Sequence, residues 1–176
     1  MLTDFKHQLW PKTPRLYDAK GIVVTEKIDG CNCAIYVSED GQVGAQSRNN
    51  VLDHDEHGFY DWVKNNADDL ASTLGPGYHY GEWWGYKIQR SYDCKSNERY
   101  FSLFNTRRWA NVEFSIPHLN TVPILYEGIF SEEIISQLLI NLKNIGSVAK
   151  PGFKKPEGVV LYHNAADKVF KIIIDK

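Results

Sequence analysis

Short β-branched and aromatic runs, each cut off at once by a tight-turn signal, constrain this chain more than any other feature. Ile22-Val23-Val24-Thr25 runs into Asp29-Gly30, and Cys33–Ser38 runs into Glu39-Asp40-Gly41, after which residues 42–46 resume the pattern. Such turns leave no room for the crossover helix that parallel neighbours need, so the three runs read as an antiparallel meander, not a βαβ unit. From about Glu56 to Leu74, Phe59, Trp62, Val63, Leu70 and Leu74 recur at helical steps, until Gly75-Pro76-Gly77 stops the helix. Strands are expected again at Tyr78–Trp83, Tyr100–Asn105 and Val122–Gly128. A second helix is expected over Glu132–Ile145, with Ser131 as N-cap, acids in its first turn and Gly146 after its end. Gly158–Tyr162 and Val169–Ile174 close the pattern as strands around a polar turn at Asn164–Asp167. Residues 1–20 hold two prolines and little periodicity, and read as an N-terminal arm. The expectation is one α+β domain over residues 1–176, with mixed, largely antiparallel sheets and flanking helices.

Composition narrows the function classes. The 176 residues are enough for one domain with a real core, and 43% hydrophobic with 24% charged residues is ordinary globular usage. Net charge is −2, so no global field draws the chain to nucleic acid, and any polyanion site must be a local patch. Basic residues gather between Lys87 and Arg108 and again between Lys150 and Lys171, where a solvated face is the competing explanation. Cys31, Cys33 and Cys94 are odd in number and lack metal-ligand spacing, so they read as reduced thiols. No signal pattern opens the chain and no apolar run approaches a membrane span. A cytoplasmic protein without a membrane partner is expected, in the host cytoplasm if the chain is viral.

Five short elements carry chemistry, each on or beside an expected strand. Lys27 ends a β-branched run, with Asp29, Gly30 and Asn32 close behind it. A free lysine amine, with a pKa of about 10.4, is almost wholly charged at pH 7, and a nucleophilic lysine needs burial or a neighbouring charge to activate it. Such a junction also arises without catalysis. Arg48, in Ser47-Arg48-Asn49, has the forked donors to hold a ribose or phosphate, or else caps a turn. Glu82, between Gly81 and Trp83-Trp84-Gly85, can accept from sugar hydroxyls at a strand end, against the alternative of a twisted strand edge. Phe104 closes the Tyr100–Asn105 run, where an aromatic ring can stack on a purine or pack in the core. Glu157 precedes a buried strand and Lys168 and Lys171 lie on the next, offering a hard oxygen ligand for Mg²⁺ and cations for phosphate.

In order, Lys27-Ile-Asp29-Gly30, Ser47-Arg48-Asn49, Gly81-Glu82-Trp83, Tyr100–Asn105, Glu157-Gly158-Val-Val and the Lys171 strand resemble motifs I, Ia, III, IIIa, IV and V of the covalent nucleotidyltransferases. Asn32 stands where DNA ligases and capping enzymes carry arginine. Together with the Gly81–Gly85 element it makes the chain similar to ATP-dependent RNA ligases of the small phage type, in the nick-sealing branch. The resemblance implies an ATP-grasp-like ligase adenylation domain without a C-terminal OB-fold. It implies that Lys27 takes AMP from ATP, that Glu26 meets the adenine amino group, and that Phe104 stacks on the ring. It places Arg48 and Glu82 on the ribose, Glu157 on Mg²⁺ or Mn²⁺, and Lys171, with Lys168, on the α-phosphate. Asp29 and Asn32 then serve transfer of AMP to an RNA 5′-phosphate and joining to a 3′-hydroxyl. The partners implied are ATP and RNA ends, nicked or single-stranded, with an accessory protein or second domain to grip the RNA. A compact DNA ligase, a capping-type guanylyltransferase and an idle nucleotide- or RNA-binding module are the alternatives. The chain departs from the motif V pattern in carrying Ile173 where a second lysine is usual, and Asn105 replaces an acid.

Overall fold

Alternation along Gly21–Lys27 (β1) buries Ile22, Val24 and Glu26 on one face and leaves Val23, Thr25 and Lys27 on the other. That single strand therefore serves a core and a site at once. The computed structural model describes residues 21–55 and 57–174, so the expected arm lies outside the described residues. The strands that follow are Cys31–Val37 (β2), Val43–Ser47 (β3), Gly77–Gly85 (β4), Arg99–Leu103 (β5), Leu119–Thr121 (β6), Ile124–Ile129 (β7), Gly158–His163 (β8) and Lys168–Ile173 (β9). They form two sheets, one ordered β7-β1-β8-β9 and the other β3-β2-β4-β5-β6. Every pairing is antiparallel except β5 with β6. The α+β expectation holds.

The expected meander does not form, because β1 and β2 belong to different sheets. At Ile28–Gly30 the chain leaves the first sheet for the second, and the packing there shows why it turns as it does. A Cβ on Gly30 would collide with the Trp83 carbonyl oxygen and lie 2.8 Å from Trp84 Cβ, so only glycine lets the turn press onto β4. The Asp29 N–H donates to the Tyr92 phenol oxygen at 2.9 Å, which anchors the turn from its other side. A second crossing returns the chain at Val122-Pro123. Proline cannot continue a ladder, so the expected strand 122–128 starts only at Ile124, as β7, and a separate short strand, β6, precedes the crossing in the other sheet. The Pro123 carbonyl accepts from Glu26 N–H at 3.0 Å, beside the register shift between Val24 and Thr25.

The periodic stretch ending at Leu74 is two helices, Phe59–Asn65 (α1) and Ala67–Leu74 (α2), not one. Asn66 breaks it by donating its side-chain amide to the Trp62 carbonyl at 2.7 Å, a local bond that competes with the helix ladder. Both helices pack Phe59, Val63, Leu70 and Leu74 beneath the second sheet, against Ile35, Trp83 and Phe101. A short helix, Thr106–Trp109 (α3), follows β5 and is capped by the Asn105 side chain, which accepts from Arg108 N–H. Glu132–Ile145 (α4) matches its expected bounds, with Ser131 accepting from Ile134 N–H and Gly146 at its end. It seals the first sheet through Ile135 and Leu142 on Ile22, Val24, Val159 and Leu161. Where the sheets meet, Ile28, Trp84, Tyr92, Val122 and Phe153 form a third core. Each such side chain, fully buried, contributes about 1.5–3 kcal/mol.

Replacing Gly30 with alanine is expected to destabilise the fold by about 1–3 kcal/mol through overpacking against β4. A shift of the urea midpoint at unchanged slope is the readout, and a midpoint equal to wild type would contradict the packing at this crossing.

Candidate active site

Antiparallel pairing of β1 with β8 sets Lys27 opposite Gly158, and so brings Glu157, from 130 residues on, against the lysine. The Lys27 amine donates to Glu157 Oε2 at 2.6 Å, with about a fifth of the lysine side chain and less of the glutamate exposed. Lys171 pairs with Val160, which pairs with Thr25, so it shares the face of Lys27. Ile173, on that same face, pairs with Gly158 and stands level with Lys27. Lys168 pairs with His163, which pairs with Ile22. That places Lys168 on the opposite face and five residues down the strand, about 17 Å from the lysine's level. The sheet unites Lys27, Glu157 and Lys171 and separates Lys168 from them.

Glu82 lies inside β4, not at a strand end, and is 5% exposed. Its Oε1 accepts from Gly30 N–H at 2.9 Å and its Oε2 from the Asn32 amide at 2.6 Å. Burial raises its pKa from the ordinary 4.5 to about 7, against the lowering effects of the Asn32 hydrogen bond, the Lys27 charge and the Gly30 N–H. Each carboxylate oxygen keeps a lone pair after these bonds, so a ligand hydroxyl still finds an acceptor. Asn32, exposed on the strand paired with β4, is the residue that orients it.

Asp29 accepts from Arg90 Nε at 3.0 Å, and Arg90 also donates to the Lys155 carbonyl at 2.9 Å. One guanidinium thus ties the turn after Lys27 to the segment that delivers Glu157. Arg90 and Tyr92 belong to a loop in which Lys87, Gln89, Ser91, Tyr92 and Asp93 all have positive φ. These contacts span about sixty residues, and no spacing in the sequence signals them. Other basic residues are also tied internally: Lys150 to Glu98 at 2.8 Å, Arg108 to the Leu74 carbonyl, and Lys154 to the Ile145 carbonyl. Arg90, Asp93, Phe153, Lys154 and Lys155 line an open hollow of about 460 Å³, which the Arg90 bond links to Asp29.

The remaining expected site residues occupy different settings. Glu26, 1% exposed, points to the face opposite Lys27. It accepts from Ser147 Oγ at 2.6 Å, Val148 N–H at 2.7 Å and Ala149 N–H at 2.9 Å. Burial raises its pKa, and these bonds oppose the rise. Arg48 is exposed in the turn after β3, where Ser47 pairs with Cys33, one residue beyond Asn32. Phe104, 43% exposed, follows β5 and donates its N–H to the Tyr80 carbonyl at 2.9 Å. Among the described residues no group of three or more carboxylate, histidine or cysteine side chains converges as a metal cage. Glu157 nevertheless fits Mg²⁺, which is commonly held by one or two carboxylates together with water and substrate phosphates. None of the three cysteines forms a disulfide, and among the described residues no helix is long and apolar enough to cross a membrane.

Two of three comparisons found relatives. The RNA ligase family model matches residues 20–173. Mutant forms of the Naegleria gruberi RNA ligase share the fold. One solved with ATP and Mn and one with AMP and Mn each superpose with a TM-score of 0.66 at 21% identity, over 88% of this chain. A third, an apo mutant, gives 0.65 at 21% identity. This chain spans about half the length of those structures. No match was found among the curated proteins.

The raised pKa of Glu82 fixes a sign for stability against pH. Its carboxyl holds a proton more tightly folded than unfolded, so its contribution is full below about 4.5 and is lost as pH rises through about 7. Glu26, also raised by burial, acts in the same direction. Urea unfolding across this window should show falling stability in the wild type and a shallower fall in Glu82→Gln. Equal slopes in the two proteins would contradict the burial argument.

Proposed function

The chain belongs to the RNA ligase family, and we propose that it is an ATP-dependent RNA ligase acting through AMP carried on Lys27. The observation that supports this most directly is one constellation at the crossing between the sheets. There a part-buried lysine faces Glu157, and the buried Glu82 is held by Gly30 and Asn32 on the turn that follows that lysine.

In the proposed reaction the Lys27 amine attacks the α-phosphorus of ATP. The Lys27 ammonium in contact with Glu157 first loses a proton to expose its lone pair; a P–N bond then forms, the P–O bond to pyrophosphate breaks, and the nitrogen sheds its second proton to solvent. Lys171, on the same strand face, neutralises charge on the α-phosphate. Glu157 would hold the divalent cation, and a bound Mg²⁺ or Mn²⁺ supplies further neutralisation of phosphate oxygens. Glu82 and Arg48 hold the ribose hydroxyls, and the outward ring of Phe104 covers the purine. Glu26 has one acceptor site left, on Oε1, for the adenine amino group, since three protein donors already occupy its carboxylate. Lys168 is left without a part in the transfer, because strand alternation and distance hold it away.

In the second step an RNA 5′-phosphate oxygen attacks the same phosphorus, the P–N bond breaks, and Lys27 is restored. A 3′-hydroxyl then displaces AMP and the phosphodiester closes. Arg90 fixes the Asp29 carboxylate beside Lys27 for these later steps, so Asp29 and Asn32 act by shaping the turn as well as by touching substrate. Asn32 in place of arginine favours RNA ligation over DNA ligation or capping.

Incubation with Mg²⁺ and labelled ATP, read by intact mass, should give an adduct of one AMP that resists base, is lost in acid, and is absent from Lys27→Ala. Glu157→Gln should form it at least tenfold more slowly. GTP in place of ATP should give none. Absence of the adduct in the wild type, or its persistence in Lys27→Ala, would overturn the mechanism.

A further inference from the structure

The face of the second sheet that carries Glu82 and Asn32 has three zones. At one end Trp84 and Tyr100 are closed over by the core between the sheets. In the middle lie Asn32 and Glu82, beside Lys27. At the other end the face is open, and alternation along β2 and β4 sets Tyr36, Tyr78 and Tyr80 there, 40%, 54% and 56% exposed. Tyr36 and Tyr78 are a cross-strand pair with ring centroids 4.7 Å apart, and Tyr78 and Tyr80 lie nearly parallel at 6.1 Å. Phe104, whose N–H bonds to the Tyr80 carbonyl, lies between these rings and the middle of the site.

A core explanation fails for these rings, because the core of this sheet lies on its other face, under Ile35, Trp83 and Phe101. Side-by-side tyrosines on an open sheet are a platform for flat, unpaired groups, since each ring offers a large rigid face at little entropic cost. Exposed Arg48, after β3, stands level with Asn32 at the inner end of the platform, and exposed Arg107 lies in α3 after β5. The far end is closed by the acidic turn at Glu39-Asp40, which repels an anionic backbone. From Asn32 to Tyr36 the strand runs about 13 Å, room for two or three stacked bases.

We propose that Tyr36, Tyr78 and Tyr80 form a stacking site for unpaired RNA bases next to the end being joined, so that single-stranded ends engage this surface and paired ones do not. This rests on the ligase reading for the identity of the strand. The bases of a nicked duplex are already stacked on one another and have no face to offer the rings.

The test uses the full chain and a short 5′-phosphorylated RNA with 2-aminopurine near its phosphate, offered single-stranded and as a nicked duplex. Stacking should quench the single-stranded probe strongly and the duplex little. Tyr36→Ala and Tyr78→Ala should each weaken single-strand binding by roughly tenfold, while Tyr78→Phe binds as wild type and all variants form the AMP adduct normally. A normal adduct with unquenched probe, or alanine variants that bind within twofold of wild type, overturns the stacking site. So do alanine variants that bind RNA as wild type but unfold earlier, since the rings then serve the fold. Quenching that persists in a protein forming no adduct supports this surface while overturning the ligase reading.

Discussion

A carboxylate buried under the turn between two sheets holds this architecture to its purpose. Glu82 accepts from Gly30 N–H and from the Asn32 amide, so the chain cannot leave the first sheet and enter the second by another path without stranding it. An unpaired carboxylate in such a place costs several kcal/mol, and its removal from water already raises its pKa to about 7. The turn is further pressed onto β4 by the absence of a side chain at Gly30 and pinned by Tyr92 behind Asp29. Lys27 ends the strand just before this turn, so its position is inherited from bonds it does not itself make.

The same economy places Glu157. Pairing of β1 with β8 brings it to the lysine, and Arg90 bridges Asp29 to the Lys155 carbonyl two residues before it. The loop that carries Arg90 is strained, with five side-chain-bearing residues at positive φ between Lys87 and Asp93. Backbone in that region costs of order 1–3 kcal/mol per residue and persists only where surrounding contacts over-determine it. Here those contacts are the Tyr92 ring between Trp84 and Phe153, and the Arg90 bonds themselves.

Local signals made much of this legible in the sequence. Ser131 and Gly146 bracket α4 because capping is a property of adjacent residues. The β-branched run of β1 and the order of the motif-bearing residues were likewise readable, and the resemblance to RNA ligases is borne out by the family match. What escaped depends on distant partners. The two crossings between sheets turn on packing against Trp83 and Trp84, and on a proline that reads equally well as a strand interruption. The helix break at Asn66 is a side-chain bond to Trp62 that competes with an otherwise regular periodicity. Arg90, Tyr92 and Ser147 touch the candidate site from about sixty residues away or more, and nothing near them in the chain marks them out from other arginines, tyrosines and serines.

Ile173 shows how strand register redistributes a chemical burden. It occupies the face and level that a second lysine would need to sit beside Lys27, and Lys168 is on the wrong face to replace it. In the proposed reaction Lys171 alone of the terminal strand meets the phosphates, so a divalent cation held by Glu157 would carry more of the neutralisation. Several of the basic groups that composition seemed to offer instead are held within the protein: Arg90 by Asp29, Lys150 by Glu98, Arg108 and Lys154 by carbonyls. With net charge near neutral, the chain has no global electrostatic pull on a polyanion. A ligand-binding surface built from ring faces is the physical alternative, and the open end of the second sheet is where those faces are found.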